Sequence, residues 1–235
     1  MAVLIGEQPT TGDLFVVCPG TVINKRYVLT SASRTYESKP VIARLGEYDF
    51  QDPDCNGRND NNCAPPVQDF RIERISIHPE YDDDSYRNNI ALIRLKKEIK
   101  FEDHIQPICL PVSETLRQKK LSRYIATGWG HTQYPDGVPA TVLHKATIPV
   151  IDFKECRSYH DPKWYIREGV LCAGRSGTPG TCLGDVGGPL GAPVQDDGVR
   201  FVQFGILSVY WCGNGTSIYT NVAFYMDWIE DTIRS

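Results

Sequence analysis

The chain has 235 residues, of which 41% are hydrophobic and 23% are charged, values that are typical of a globular protein. Its net charge of −4 gives no basis for binding nucleic acid or an anionic membrane, and no apolar run is long enough to span a bilayer. A chain of this length forms one large all-β domain or two small ones.

Most of the sequence predicts short β-strands. β-branched and aromatic residues alternate with clusters of Gly, Pro, Asp and Asn, as in strands that close into sandwiches or barrels. The clearest of these segments are 14–17, 41–45, 70–77 and 201–209. The C-terminal end differs, because its apolar residues recur at helical spacing. These residues are Val222, Tyr225, Met226, Ile229 and Ile233.

Three segments contain sequence motifs that are typical of a catalytic site. Residues 181–189 read T-C-L-G-D-V-G-G-P, residues 28–34 read V-L-T-S-A-S-R, and residues 89–95 read N-I-A-L-I-R-L. They resemble the motifs C-x-G-D-S-G-G-P, V-L-T-A-A-H-C and D-I-A-L-I-R-L of chymotrypsin-like serine peptidases. They also follow the order base, orienter, nucleophile along the chain that this family uses.

The resemblance implies that all three catalytic groups are replaced. Val186 stands at the nucleophile, Ser33 at the base and Asn89 at the orienting carboxylate. A serine hydroxyl attacks only when an imidazole takes its proton and a carboxylate orients that imidazole. Loss of the whole unit lowers turnover about a million-fold in a comparable hydrolase. The sequence therefore predicts a protein that is not an enzyme.

The resemblance covers nearly the whole chain. Residues 128–130 read G-W-G, residues 107–111 read P-I-C-L-P, and residues 217–222 read S-I-Y-T-N-V, each similar to a family motif. The G-E-Y-D at 46–49 and the two-cysteine loop at 54–66 are similar to those of clip-domain serine peptidases of arthropod haemolymph. The chain is therefore identified as a clip-type member, a non-catalytic serine protease homologue.

This family implies two six-stranded antiparallel β-barrels followed by a C-terminal α-helix, within a single trypsin-like domain over 1–235. Residues 1–4 resemble the first strand, so the first dozen or so family residues are expected to lie outside this chain, as is a signal peptide. The expected parts are an N-terminal barrel (1–108), a linker (109–120), a C-terminal barrel (121–221) and the helix (222–235).

The family's oxyanion loop corresponds to Gly184, Asp185 and Val186. In active relatives a new N-terminal ammonium pairs with the aspartate at this place, and an unpaired buried carboxylate is unfavourable. We therefore expect segment 183–188 to be zymogen-like or to reach solvent.

The specificity pocket is also expected to be altered. Gly180 stands where trypsin-like members carry an aspartate, so it cannot pair with a substrate Arg or Lys. Tyr210 and Ser217 correspond to wall positions that are glycine in open pockets. Tyr210 is expected to obstruct the cleft, and simple drift of these residues is the alternative.

Eight cysteines indicate an oxidising compartment, and the family implies how they pair. The resemblance pairs Cys55 with Cys63, Cys156 with Cys172 and Cys182 with Cys212. It leaves Cys18 without its usual partner, because Arg34 stands there, and it makes Cys109 the tether to an upstream light chain or clip domain. A Cys18–Cys109 bridge is the alternative.

Two further sites are possible from short signals. Asn214 begins an N-x-T glycosylation motif. Glu47 and Asp49 begin a loop that binds calcium in many relatives, since carboxylate oxygens suit that ion. Solvated carboxylates are the alternative, and no other cofactor is expected. The acidic run 82–84 is expected to be a solvated turn, with contact to a basic partner as the alternative.

Three functions remain open from the sequence. The first is a secreted, extracellular haemolymph cofactor, adaptor or decoy in an innate immune, melanisation-type cascade, with clip-type peptidases, serpins or prophenoloxidase as partners. The second is an active serine-type endopeptidase with a substituted site, in which Ser33 supplies the only hydroxyl. The third is a microbial pattern-recognition module that uses Tyr210 and Trp211 to line a sugar site.

Overall fold

The computed structural model describes residues 1–51, 65–132, 137–160, 168–177, 180–196, 198–212 and 215–235. Twelve strands in this part of the chain form two closed antiparallel barrels, each of six strands. The expectation of two six-stranded barrels and a C-terminal helix is confirmed. None of the described helices is long and apolar enough to cross a membrane.

The N-terminal barrel is closed in the order β1-β2-β3-β6-β5-β4. Alternate side chains point inward, so apolar residues of every strand meet in one core, which includes Leu4, Val28 and Ile93. The strands are β1 (Ala2–Glu7), β2 (Leu14–Val22), β3 (Tyr27–Thr30), β4 (Ile42–Leu45), β5 (Gln68–Ile77) and β6 (Ala91–Leu95). A short helix, α1 (Ala32–Glu37), follows β3 directly.

The C-terminal barrel is closed in the order β10-β11-β12-β9-β8-β7 around a core that includes Ile148, Leu190 and Tyr219. Its strands are β7 (Arg123–Gly128), β8 (His144–Ile151), β9 (Val170–Ala173), β10 (Pro189–Gln195), β11 (Val199–Val209) and β12 (Ser217–Asn221). Two short helices, α2 (Glu114–Arg117) and α3 (Phe153–Tyr159), lie in the connections.

The C-terminal segment packs against both barrels. It starts as a 3-10 turn, Val222–Tyr225, and continues as α4 (Met226–Arg234). Met226 and Ile229 are buried in one cluster with Leu92 of β6 and Ile206 of β11. The apolar residues that recur at helical spacing in the sequence are therefore those that join the helix to the two barrels.

The described residues contain two disulfides, Cys156–Cys172 and Cys182–Cys212, and two free thiols, Cys18 and Cys109. The alternative Cys18–Cys109 bridge is not formed. The third expected pair, Cys55–Cys63, lies outside the described residues.

The side chain of Arg34 lies near Cys18 and is held by two interactions. Its guanidinium donates to the carbonyl oxygen of Val17 at 3.2 Å from Nη2 and pairs with Glu37 at 3.0 Å. The Cys18 sulfur lies 3.5 Å from the hydroxyl of Thr30 in the barrel core. Burial raises the pKa of the Cys18 thiol to about 11, against smaller effects of Thr30 and Arg34 that lower it.

Cys18 is therefore expected to be inert in the native protein. At pH 8 only about one thiol in a thousand is ionised when the pKa is near 11, and the thiolate is the reactive form. Iodoacetamide at pH 8, followed by peptide mapping, should label the half-buried Cys109 and leave Cys18 unmodified until the chain is unfolded. Equal labelling of both cysteines in the native state would contradict this.

A second prediction concerns Gly187, at the contact between the barrels. Its φ is +94°, and an added Cβ would lie 2.5 Å from Thr30 Oγ1 and 2.6 Å from the carbonyl oxygen of Pro19. Gly187→Ala should lower the free energy of unfolding by about 2–5 kcal/mol, from the left-handed backbone together with overpacking.

The matched control is Gly177→Ala. Gly177 also has a positive φ, +77°, but an added Cβ there meets no atom within 4 Å. Its substitution should lower the free energy of unfolding by only about 1–2 kcal/mol. Urea denaturation of the two variants compares them directly, and similar losses would show that the contact at Gly187 is unimportant.

Candidate functional site

The predicted base and orienter positions contact each other directly in the cleft between the barrels. Ser33 lies on α1, and Asn89 lies just before β6; both are buried. The backbone N–H of Ser33 donates to Asn89 Oδ1 at 2.8 Å, and Asn89 Nδ2 donates to Ser33 Oγ at 3.2 Å. The two side chains therefore form a closed pair in which the Ser33 hydroxyl accepts a hydrogen bond.

Ser208, at the end of β11, is a third member of this network that the sequence did not reveal. Asn89 Nδ2 donates to Ser208 Oγ at 2.8 Å, and Thr220 Oγ1 donates to the carbonyl oxygen of Asn89 at 2.7 Å. An amide N–H is not a proton acceptor, so Asn89 cannot take a proton from either hydroxyl. This network holds two hydroxyls in place without a base.

The predicted nucleophile position is apolar. Val186 is half-buried and packs, together with Tyr210, against the core of the C-terminal barrel. The next residue, Gly187, lies against Thr30 and Ser31, so the 183–188 segment meets the junction of β3 and α1. The structure thus brings the three predicted catalytic positions to one cleft.

Hydrogen bonds between hydroxyl groups connect three residues at the base of the predicted specificity pocket. Thr181 Oγ1 donates to Ser217 Oγ at 3.1 Å and lies 3.1 Å from the hydroxyl of Tyr219; all three side chains are buried. The backbone N–H of Trp211 donates to Ser217 Oγ at 3.1 Å. Sequence reasoning selected Ser217 but missed Thr181 and Tyr219, because their meeting depends on the pairing of β12.

Gly180 lies at the exposed end of this region. An added Cβ at Gly180 would meet no atom within 4 Å, so the position has room for a side chain that the sequence does not supply. The Ser217 hydroxyl is hydrogen-bonded, and Tyr210, the other predicted wall residue, is half-buried. Thr181, Ser217 and Tyr219 therefore contribute neutral hydroxyls, and Gly180 contributes no carboxylate to pair with a cationic side chain.

Asp185 itself is buried, whereas Leu183 and Gly184 of the same segment are exposed, so this carboxylate does not reach solvent and the zymogen-like alternative for segment 183–188 stays a prediction. Its Oδ1 accepts the backbone N–H of Gly130 at 2.7 Å, and its Oδ2 accepts that of Cys182 at 3.0 Å. Two amide donors can hold a carboxylate without a cation. Added Cβ atoms at Gly128 and Gly130 would overlap this carboxylate, which explains the glycines on both sides of Trp129.

The environment of Asp185 is nevertheless unfavourable for its charge. Burial raises the pKa of Asp185 above its ordinary value, while the amides of Cys182 and Gly130 and the imidazoles of His131 and His144 lower it. A cavity of about 270 Å³ opens beside this carboxylate, and both histidines line it. Burial thus outweighs the hydrogen bonds at this site.

The predicted calcium carboxylates are engaged locally. Glu47 lies 3.8 Å from the guanidinium of Arg44 and accepts the N–H of Tyr48, and Asp49 accepts the N–H of Gln51 at 3.0 Å. No group of three or more His, Cys, Asp or Glu that could hold a metal ion occurs among the described residues. Asn214, the predicted glycosylation site, falls outside them.

Comparison with known proteins agrees with this architecture. The family model Trypsin matches residues 2–229. The chain belongs to the trypsin family, and its relatives place it in the arthropod clip type. Proteins of this family need no cofactor for their activity.

Three relatives are informative. The chain is 37% identical to Serine protease grass of Drosophila melanogaster, covering 100% of this chain and 64% of that protein. It is 35% identical to Phenoloxidase-activating factor 3 of Holotrichia diomphalia (98% and 68%) and 33% identical to Inactive CLIP domain-containing serine protease A28 of Anopheles gambiae (97% and 58%). The chain thus spans about two thirds of the length of these relatives.

The fold is shared with a solved relative. The crystal structure of the Drosophila Grass clip serine protease of the Toll pathway superposes with a TM-score of 0.84 at 35% identity, covering 99% of this chain and 68% of that one. Clip-domain serine proteases act in insect immune cascades, and some members are inactive.

The raised pKa of Asp185 predicts a pH dependence of stability. A carboxyl whose pKa is higher in the folded than in the unfolded state stabilises the fold below its unfolded pKa, near 3.8, and loses that contribution as the pH rises through its folded pKa. The free energy of unfolding of the wild type, minus that of Asp185→Asn, should therefore fall with rising pH.

Urea denaturation of the two proteins between pH 3.5 and about 8 measures this difference. In the Asp185→Asn variant, one backbone N–H faces the side-chain N–H group of the asparagine. This lowers the free energy of unfolding of the variant by an amount that does not depend on pH, so the slope of the difference against pH is unchanged. A difference that is independent of pH, or that rises with pH, would contradict the prediction.

Proposed function

We propose that this chain is the peptidase-like part of a catalytically inactive serine protease homologue that regulates an extracellular proteolytic cascade. The carrying observation is the buried position of Asn89 between the hydroxyls of Ser33 and Ser208, with its amide N–H groups directed at both. Acyl transfer by a hydroxyl needs a base within hydrogen-bond reach, and this amide cannot serve as one.

The substitution at position 186 supports the same conclusion independently. Val186 packs into the core of the C-terminal barrel and has no atom that attacks a carbonyl carbon. The loop around it is nonetheless kept, since the carboxylate of Asp185 still accepts two backbone amides. A retained scaffold with these side chains supports a binding role.

The pocket indicates which substrates are disfavoured. Its base joins Thr181, Ser217 and Tyr219 through neutral hydroxyls, and Gly180 supplies no charge. The carboxylate of Asp185 lines the same cavity as Gly180 and Thr181, but it is already held by the amides of Gly130 and Cys182. We infer that the chain does not hold a basic residue in the manner of trypsin.

The relatives support the cascade and the location. Grass belongs to the Toll pathway by its title, a second relative is named a phenoloxidase-activating factor, and a third is named inactive. We propose that the protein is secreted into haemolymph, where the two disulfides of the described residues persist. Clip-type peptidases, serpins and prophenoloxidase are the proposed partners, and Cys109 is the proposed tether to an upstream segment.

An active peptidase that uses Ser33 is the second candidate, because this residue carries a hydroxyl in the cleft. The hydrogen bonds of Ser33 disfavour this function, since its hydroxyl accepts a hydrogen bond from Asn89 and the residue is only 3% exposed. A sugar-binding module that uses Tyr210 and Trp211 is the third. Trp211 is 45% exposed and its ring contacts that of His160, an aromatic contact that is compatible with a sugar face but does not require one.

One assay tests the proposal in two parts. The purified chain, incubated with a fluorogenic peptide library, should give no turnover above the blank. Added to an active clip-domain peptidase and its zymogen substrate, it should change the activation rate at least about threefold, because the retained surface binds one of them. Surface plasmon resonance with the peptidase, a serpin and prophenoloxidase then identifies the partner.

Two variants serve as controls. Ser33→Ala should behave as the wild type does, and turnover by the wild type that this change abolishes would overturn the proposal. The triple variant Ser33→His, Asn89→Asp, Val186→Ser restores the family's groups and tests whether the cleft still admits a peptide. Absence of any rate effect and of binding to all three partners would exclude a role as cofactor or decoy.

A further inference from the structure

A tyrosine-rich acidic surface lies beside the degenerate cleft. It combines the exposed side of α1 with the segment 79–88 that leads to Asn89. The ring of Tyr36, which is 59% exposed, contacts the ring of Tyr81 edge-on, with centroids 6.2 Å apart. We call this the Tyr-acid surface and define it by the residues Tyr36, Glu37, Tyr81, Asp83 and Tyr86.

Hydrogen bonds and charges connect the members of the Tyr-acid surface. The hydroxyl of Tyr81 donates to Asp83 Oδ1 at 2.5 Å. Burial, and then the negative charges of Asp83 and Glu37 and the ring hydroxyl of Tyr210, raise the pKa of Tyr86. Tyr86 is half-buried in the same segment as Tyr81 and Asp83.

The surface carries an excess of negative charge. Helix α1 and the segment 79–88 together hold five carboxylates and two guanidinium groups. The guanidinium of Arg34 pairs with Glu37 at 3.0 Å, and that of Arg87 lies 3.8 Å from Glu80. The carboxylates in excess are those of Asp82, Asp83 and Asp84.

The acidic turn is organised rather than loose. Asp82 accepts hydrogen bonds from the hydroxyl of Ser85 at 2.5 Å and from the N–H of Asp84 at 3.1 Å. The Ser85 hydroxyl, the largest influence, keeps the pKa of Asp82 below its ordinary value, so this group stays ionised. Tyr86 has a φ of +55°, a backbone conformation that a tyrosine adopts only when its surroundings impose it.

We propose that the Tyr-acid surface binds an extended, arginine-containing segment of a partner protein, which the chain holds without cleaving. This inference rests on the proposed function and specifies the chemistry of the partner. Aromatic faces and carboxylates within one surface match a guanidinium, which stacks on tyrosine and donates to carboxylate oxygens at the same time. The surface therefore matches the guanidinium in charge, through its carboxylates, and in planar shape, through its aromatic rings.

Arginine is favoured over lysine for a physical reason. The planar guanidinium is more weakly hydrated than an ammonium and stacks on a ring while its N–H groups remain available. A negative surface beside the cleft also places the basic side chain away from the position that a trypsin-like enzyme would give it. Binding on the rim, and not in the pocket, therefore distinguishes this chain from an active relative.

The test uses fluorescein-labelled, acetylated hexapeptides with the full chain. The probes are Gly-Arg-Gly-Gly-Arg-Gly and its Lys and Glu analogues, and fluorescence anisotropy measures the Kd at low and at physiological salt. We expect the Arg peptide to bind more tightly than the Lys peptide, the Glu peptide not to bind, and added salt to weaken binding. Equal binding of all three peptides, or none by the Arg peptide, would overturn the inference.

Variants locate the binding. Glu37→Gln with Asp83→Asn removes two charges but keeps an oxygen that can accept from Tyr81, and should weaken the Arg peptide about tenfold. Tyr36→Leu keeps an apolar helix residue without the ring and should weaken it about threefold. The matched control, Asp103→Asn with Asp231→Asn, removes two exposed charges on other elements and should change the Kd less than twofold.

Equal weakening by the two double variants would show that only the overall charge matters and would overturn the inference. Circular dichroism and urea denaturation of each variant confirm that it is folded. The same preparations are assayed for peptide turnover, so the two proposals fail separately. Hydrolysis by the wild type defeats the proposed function, whereas an inert chain that ignores the Arg peptide defeats only the docking surface.

Discussion

The buried side chain of Asn89 joins the two barrels at the cleft. Its Oδ1 accepts a hydrogen bond from the backbone N–H of Ser33 on the N-terminal barrel, and its Nδ2 donates to the hydroxyl of Ser208 on the C-terminal barrel. Its carbonyl oxygen accepts a hydrogen bond from the hydroxyl of Thr220. Both side-chain polar atoms and the carbonyl oxygen of the residue are engaged, although the side chain is fully buried. A neutral amide avoids the desolvation that a carboxylate at this place would face without a cationic partner.

This arrangement links stability to the proposed loss of chemistry. The hydrogen bonds that satisfy Asn89 also occupy the hydroxyl of Ser33, so the interactions that keep the barrels together leave no proton acceptor. Ser217 plays a similar part in the specificity pocket, where its hydroxyl accepts from both Thr181 and the backbone of Trp211. Buried polar networks that are fully satisfied hold one arrangement rigidly.

The surface beside the cleft is available for a different use. The proposed binding uses the rim of the cleft, where Tyr36, Tyr81 and Asp83 lie. The 79–88 segment is ordered by its own turn contacts and by Tyr225, whose hydroxyl donates to Asn88 at 2.7 Å. A rigid rim reduces the entropy that binding a flexible partner segment would lose.

The sequence alone predicted the strands, the C-terminal helix and the three replaced positions, because local patterns and motif residues are read along the chain. The apolar period of Val222, Tyr225, Met226 and Ile229 required no knowledge of the barrels. Only the tertiary structure showed that Ser208, Thr181 and Tyr219 join the site, since strand pairing brings them there. It also showed that Asp185 is buried, because the two amides that hold this carboxylate are those of Cys182 and, from a distant segment, Gly130. Sequence motifs determine which groups a site contains, whereas packing decides which donors reach a buried charge.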